Sequence, residues 1–389
     1  MVLALSYTNI DIKKDYAWWY VIMKPYLVVA SINPLLNLVD AIEELIKTST
    51  KLIIIDEGDV SVRKKNDEIL KDVDRSYYGP NERREWFRER FGQFYEKYAS
   101  VIPERAHAET SFGFLVAFEE GADFLIELDD DVLIKGLIEG HRSNLFENSG
   151  EIVYSSSKWY NTLDLLVLNP NGRYFPRGHP YAIEARVEDY RWHDRGGRCV
   201  LNMGHWLGNP DFDALTILYN GGLDGRCNVV GKSIKKEKVI VGRGTYFAIC
   251  SMNTSFVPKI VPAFYQLYMN VMGIDRFDDI WSGLFLKRIA DHLGDFVCIG
   301  KPVGIHEKRP RSTFNDLRKE LEGMIINEWL WKAVDDSDLS GNNYADCYLS
   351  LIEVLNAKIN GVKNDVFKKF MSMQLEKMRL WVEIVDALS

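Results

Sequence analysis

What this chain lacks narrows its class before any motif is read. It has five cysteines, Cys199, Cys227, Cys250, Cys298 and Cys347, scattered, odd in number and never spaced as Cys-x-x-Cys. That excludes a disulfide framework and a structural zinc site, and it fits reduced thiols in a cytoplasmic protein. There is no surplus of positive charge: 48 Lys and Arg stand against 56 Asp and Glu, for a net charge of -8. The broad basic surface of a nucleic-acid binder is therefore missing. No apolar run reaches the length of a membrane span, so membrane insertion is not expected. The segment Met1–Ala30 has no basic stretch followed by a clean apolar one, so no leader is expected either. Internal repeats and low-complexity tracts are also absent.

What is present is ample core material. Of 389 residues, 47% are hydrophobic and 12% aromatic, enough for a large folded unit rather than a disordered chain. Tyr26 to Ile32 and Lys51 to Ile55 read as buried strands. Between them Leu35, Leu38, Val39, Ile42, Leu45 and Ile46 recur at helical spacing. The three make a βαβ unit, which implies parallel strands. Residues 63–110 read as a charged helical layer with aromatics on its inner face. Phe112 to Glu120 reads as a helix stopped by Gly121, and Asp123 to Leu128 as a further strand. Phe264–Met272 and Ile280–His292 read as helices, Phe296 to Gly300 as a short strand, and Lys301–Arg311 as a basic loop. Beyond Thr313 the pattern is helical, interrupted by a polar linker at Asp335–Asn343. The expected organisation is a catalytic domain at 1–312 and a helical region at 313–389. The latter could support a homo-oligomer, although no clean heptad is present.

The chemistry-bearing residues cluster at the ends of these elements. Asp129-Asp130-Asp131 follows a buried strand directly. Like charges so close raise one another's pKa unless a cation compensates. Mn2+ or Mg2+ held by Asp129 and Asp131 is the natural compensator, since hard cations take carboxylate oxygens and keep positions open for phosphate. An acidic solvated turn is the plainer alternative. His306 follows the last strand and can complete such a site, with Lys308, Arg309 and Arg311 beside it as phosphate-binding cations. Asp278 and Asp279 precede a helix. One of them is accounted for by N-capping, and the pair can also hold or deprotonate a sugar hydroxyl. Trp281 can face a sugar ring, with core packing as the simpler role. Asp211 and Asp213 mark only a structured loop.

Taken in order, these segments resemble a known family. Phe112-Gly113-Phe114, Asp129-Asp130-Asp131, Arg177-Gly178-His179-Pro180-Tyr181, His205-Trp206-Leu207 with Pro210-Asp211-Phe212-Asp213-Ala214, Tyr246 to Asn253, and Arg276-Phe277-Asp278-Asp279-Ile280-Trp281-Ser282-Gly283 are similar to the reversibly glycosylated polypeptides, which include UDP-arabinopyranose mutases. Asp56-Glu57-Gly58-Asp59 resembles an early acidic turn of that family with one residue added. The resemblance implies an α/β fold with a GT-A-type, Rossmann-like mixed sheet. It implies a UDP-sugar substrate and a divalent metal at Asp129, Asp131 and His306. Asp56, Asp59, Asp129, Arg276, Trp281 and Lys308 would contact the nucleotide-sugar. Catalysis would fall to Arg177, Asp278 and Asp279, with Arg177 as the reversibly glycosylated residue. Where the family carries an arginine seven positions after this one, the chain has Glu184, with Arg186 nearby. Guanidinium is a poor nucleophile, so a bidentate clamp on the pyrophosphate is the other role open to Arg177. The expected activity is a pyranose–furanose mutase. A glycosyltransferase with a separate acceptor, or a non-catalytic sugar-nucleotide-binding protein, would use the same donor site.

Overall fold

The computed structural model describes residues 23–147, 150–194 and 196–389. The part of the leader expectation that concerns residues 1–22 lies outside the described residues. The framework is one mixed sheet with helices packed on it. In chain order its strands are β1 Pro25–Ser31, β2 Lys51–Asp56, β3 Arg75–Tyr78, β4 Phe124–Leu128, β5 Val132–Leu133, β6 Glu151–Ser155, β7 Leu166–Asn169, β8 Tyr190–His193, β9 Cys199–Gly208, β10 Val230–Ile234, β11 Val239–Val241, β12 Asn253–Phe256 and β13 Phe296–His306. The main path runs β3-β2-β1-β4-β12-β9-β13-β11-β6-β8.

The first four strands of that path are parallel. The cores of β1, β2 and β4 are near-continuous apolar runs because both faces are covered. The helix Thr110–Glu119 lies on β1 and β2. It approaches closely because Gly113 has no side chain: a Cβ there would stand 2.4 Å from Val28 Cγ1. Gly113→Ala is therefore expected to cost about 1–3 kcal/mol through overpacking, seen as a lower urea midpoint. An unchanged midpoint would mean that β1 yields freely.

β12 turns the sheet antiparallel, and β9 and β13 then run parallel to each other. The short β5 pairs with the far end of β13, setting Val132 opposite His306. That register brings the residue after the aspartate triplet to the imidazole. The C-terminal helices Thr313–Asp335, Tyr344–Ile359 and Asp365–Leu388 start at Ser312, Asn343 and Asn364, whose side chains accept from Asn315 N, Asp346 N and Phe367 N. They share one hydrophobic cluster with the sheet. Trp381, fully buried, donates from Nε1 to Val261 O at 2.8 Å. The α/β class, the mixed sheet and the helical C-terminal region all match the expectation. No described helix is long and apolar enough to cross a membrane.

Four local expectations need correction. Residues 63–110 are interrupted by β3, an edge strand. Phe264–Met272 is not helical. Its backbone is satisfied by side chains instead: Tyr268 N donates to Gln374 Oε1, and Gln374 Nε2 donates back to Tyr268 O at 2.5 Å. Lys301–Arg311 is not all loop, since β13 continues to His306. A register shift between Gly300 and Val303 accommodates Pro302 inside the strand. The final helical stretch is two helices, parted at residues 360–364.

Candidate functional site

The carboxyl ends of β4 and β13 open onto a cavity of about 320 Å3. Asp129 is fixed by its own amide, which donates to Met252 O at 3.0 Å. The next two side chains diverge. Asp130 turns away and is consumed by structure: it accepts from Ser31 Oγ, from Asn33 Nδ2 at 3.1 Å and from Arg309 Nη1 at 2.9 Å. Asp129 and Asp131 both line the cavity. His306 Nε2 stands 3.8 Å from Asp131 Oδ2. Its Nδ1 lies 2.8 Å from Asn209 O, which can only accept, so Nδ1 carries a hydrogen and Nε2 is the nitrogen turned toward Asp131. Burial raises the Asp131 carboxyl, and the negative charge of Asp129 raises it further. Among the described residues, no group of three or more His, Cys, Asp or Glu side chains is already gathered as a metal site.

His107, which the sequence reading passed over, sits between these carboxylates. Nδ1 is 2.9 Å from Asp278 Oδ2 and Nε2 is 3.2 Å from Asp129 Oδ1. Burial would lower this imidazole, but Asp278 and Asp129 outweigh it and raise it well above its usual value. The two halves of the acidic pair have separate positions. Asp278 faces the cavity. Asp279 does not line it; it accepts from Ser251 N at 3.1 Å and lies 3.9 Å from Arg177 Nη2. Burial, only partly offset by Arg177, pushes Asp279 up to about 6. Phe277 is the N-cap residue of the helix Asp278–Leu293 and makes no side-chain cap bond; Asp279 Oδ1 instead accepts from the first-turn amide of Ile280 at 2.8 Å.

The same cavity is also lined by cations. Arg177, Arg276, Lys308, Arg311 and Lys319 reach it, interspersed with Asp211, Asp275 and Asp316. Most are paired: Arg276 Nε with Glu320 at 2.5 Å, Arg311 Nε with Asp316 at 2.7 Å, and Lys319 with Asp275 at 3.0 Å. Arg276 holds φ +70°, a left-handed conformation that non-glycine residues seldom adopt, and this aims the turn into the cavity. Lys308 differs from its neighbours. It is 4% exposed, and its Nζ has no hydrogen-bond partner among the described residues. Burial lowers its ammonium to about 8, against the opposing pull of Asp211. An ammonium so placed fits an incoming anion better than it fits the empty protein. Asp211, read beforehand only as part of a loop, reaches the cavity as the partner of Arg177, with Nη2 to Oδ2 at 3.1 Å.

Of the residues expected at the site, Arg177, Asp129, Asp131, Arg276, Asp278, His306 and Lys308 converge here, with Asp279 directly behind. Three others do not line this cavity. Asp59 is exposed and caps the helix Val60–Ile69 by accepting from Ser61 N and Val62 N. Asp56, at the end of β2, accepts from Gly58 N at 3.0 Å within its own turn. Trp281 is fully buried against Phe277 and Phe370 and donates to Asn327 Oδ1 at 3.0 Å, so it presents no face to the cavity.

With this geometry in hand, the comparisons with known proteins agree with one another. A UDP-arabinopyranose mutase 2 of Arabidopsis thaliana is 26% identical over 349 residues, covering 87% of this chain and 85% of the relative. A UDP-arabinopyranose mutase 1 of Oryza sativa subsp. japonica is 27% identical over 302 residues, covering 75% and 74%. The profile described as "Reversibly glycosylated polypeptide" matches residues 25–388, nearly the whole described chain, and the protein belongs to the reversibly glycosylated polypeptide family.

Proposed function

We propose that the protein is a UDP-sugar mutase that interconverts pyranose and furanose forms of a nucleotide-linked sugar. The observation that carries this reading is one cavity lined both by a buried ammonium with no hydrogen-bond partner among the described residues, Lys308, and by the carboxylate–imidazole cluster of Asp129, Asp278 and His107. The relatives' names support the substrate class. The cations of the cavity hold the diphosphate, with Lys308 donating to a phosphate oxygen and Arg276 and Arg311 adding positive charge. The sugar lies toward Asp278. Loss of UDP from C1 leaves positive charge on the ring, which the Asp278 carboxylate stabilises. As the O4 hydroxyl bonds to C1 it gives its proton to Asp278; UDP then returns to C1 as the C1–O5 bond of the pyranose breaks, and O5 takes the proton back from Asp278, leaving the furanose. The parallel half of the sheet would serve as a GT-A-type donor platform.

The donor set also suits a hard divalent cation. Asp129 and Asp131 offer oxygens, and His306 offers Nε2 while its Nδ1 is tied to a carbonyl. Mn2+ or Mg2+ held there would act as a Lewis acid on the departing diphosphate. In that role Asp129 and Asp131 would fix the ion, while Asp130 braces the loop through Arg309.

The test is to incubate the protein with the UDP-pyranose form of a pentose and Mn2+ and to separate the nucleotide-sugars by chromatography. The furanose isomer is expected. Release of UDP with no isomer would instead indicate transfer to a separate acceptor. A second measurement isolates the cations. Lys308→Met is expected to weaken UDP binding at least about tenfold by calorimetry, the worth of a hydrogen bond to a charged group. Its urea midpoint should hold or rise, because an unpaired buried charge is removed.

A further inference from the structure

We infer that Arg105, at the mouth of the cavity, is a further ligand-binding residue: its guanidinium takes the diphosphate of the nucleotide-sugar from the solvent side, while Lys308 holds it from within. The inference rests on the sugar-nucleotide reading above and adds to it a residue that belongs to none of the segments through which the family is recognised.

Arg105 lines the cavity together with Ala106 and His107, and it is exposed where Lys308 is buried. Four other cations at this cavity are already held by carboxylates: Arg177 by Asp211, Arg276 by Glu320, Arg311 by Asp316 and Lys319 by Asp275. The Arg105 side chain makes no hydrogen bond or ion pair among the described residues. A free arginine on a surface is ordinary, and the backbone is what sets this one apart. Arg105 holds φ +54°, a left-handed conformation that costs free energy in any residue with a Cβ. Six described non-glycine residues do so, and the two arginines among them, Arg105 and Arg276, both line this cavity. Such strain persists only where the surroundings impose it.

Here the imposing groups lie beneath the turn. Glu57 and Arg83 form a buried ion pair, and Arg83 Nη1 lies 3.6 Å from Glu109 Oε2. Burial raises the Glu57 carboxyl, but Arg83, Glu109 and the Arg105 amide outweigh it and lower it. On the following side Glu109 N donates to Ala106 O at 3.0 Å, and on the preceding side Tyr265 Oη donates to Val101 O at 2.6 Å. The backbone of Arg105 is thus occupied by buried partners, and its guanidinium is left over for a ligand. Two residues on, His107 Nε2 is 3.2 Å from Asp129 Oδ1, so the turn stands beside the carboxylates that suit the cation of a diphosphate. The ammonium of Lys308 is a point charge, whereas the planar fork of a guanidinium matches two phosphate oxygens at once.

Arg105→Asn tests this, because asparagine tolerates a left-handed turn better than most residues and removes the charge. Calorimetry of the full-length protein with Mn2+ is expected to show UDP binding weakened about tenfold, the worth of a hydrogen bond to a charged group. Uridine, which has no phosphate, should bind within about twofold of wild type. Arg105→Lys keeps the charge without the fork and should lose about threefold. Added salt should weaken UDP binding to the wild type more than to Arg105→Asn, because it screens an exposed charge. UDP affinity of Arg105→Asn within about twofold of wild type would overturn the inference. So would an equal loss of uridine binding, which would put the effect on the turn and not on the phosphates. A wild type that binds UDP yet forms no furanose removes the mutase reading and leaves the UDP comparison to decide the inference. A wild type that binds no UDP ends both.

Discussion

Asparagine in place of Asp278 should slow turnover by about 10²–10³-fold, the range for removing one preorganised charge from a developing transition-state charge. Asp278 opens the helix Asp278–Leu293, is 4% exposed, and points its carboxylate at both the cavity and His107 Nδ1. Burial would raise its pKa, but His107 and Arg177 hold it down, so the group is a carboxylate at neutral pH. The helix N-terminus favours the same charge state. Asn keeps the shape and an acceptor oxygen but cancels the charge. It also leaves the His107 cation with Asp129 as its nearest counter-charge, weakening the acidic cluster twice over. UDP carries no positive charge for Asp278 to attract, so its affinity should move by less than about threefold. Steady-state kinetics with UDP-sugar and calorimetry with UDP separate the two quantities. A kcat within threefold of wild type would remove Asp278 from the chemistry.

The sheet was legible in the sequence where burial leaves little choice. Apolar runs such as Leu52 to Ile55 have no polar face, and the helix between β1 and β2 forces them parallel. Legibility fails where side chains replace backbone partners. Phe264 to Met269 carries enough apolar residues for a helix, yet Gln374, over a hundred residues away, takes the amide and carbonyl of Tyr268. The strand read as ending at Gly300 runs on to His306, because a register shift absorbs Pro302.

The site divides along the same line. Asp129 and Asp131 were readable because three aspartates ending a buried strand are electrostatically conspicuous. His306 was readable through the basic residues behind it. His107 was not: Ala106-His107-Ala108 bears no local pattern, and its meaning comes from Asp278, distant in sequence and 2.9 Å away in space. The signal that might have raised it is scarcity, since the chain has only seven histidines. Asp211 was hidden for the opposite reason, lying in a turn where aspartate is ordinary. Trp281 shows the converse error, an aromatic beside a functional pair that serves only the core.

Asp211→Asn should be the most costly single change to stability, at about 3–5 kcal/mol, because it breaks a buried ion pair and leaves Arg177 charged without its main partner. Asp211 and Arg177 side chains are 7% and 10% exposed, so solvent screens them little. Lys308 loses its strongest attraction at the same time. The pH dependence has a definite sign. Asp211 has a folded-state pKa held well below its ordinary value, while an unfolded aspartate titrates near about 3.9. Its stabilising contribution is therefore complete above about pH 4 and is lost as pH falls through the depressed folded value. Wild-type urea midpoints should drop on acidification below about pH 4, and the Asp211→Asn protein, lower throughout at neutral pH, should drop less because it no longer takes up that proton. The two curves should therefore converge toward acid. Parallel curves would mean that Asp211 is not the group whose protonation unlocks the cavity. Convergence accompanied by loss of UDP binding at neutral pH would show that the ion pair behind the cavity also holds its cations in place.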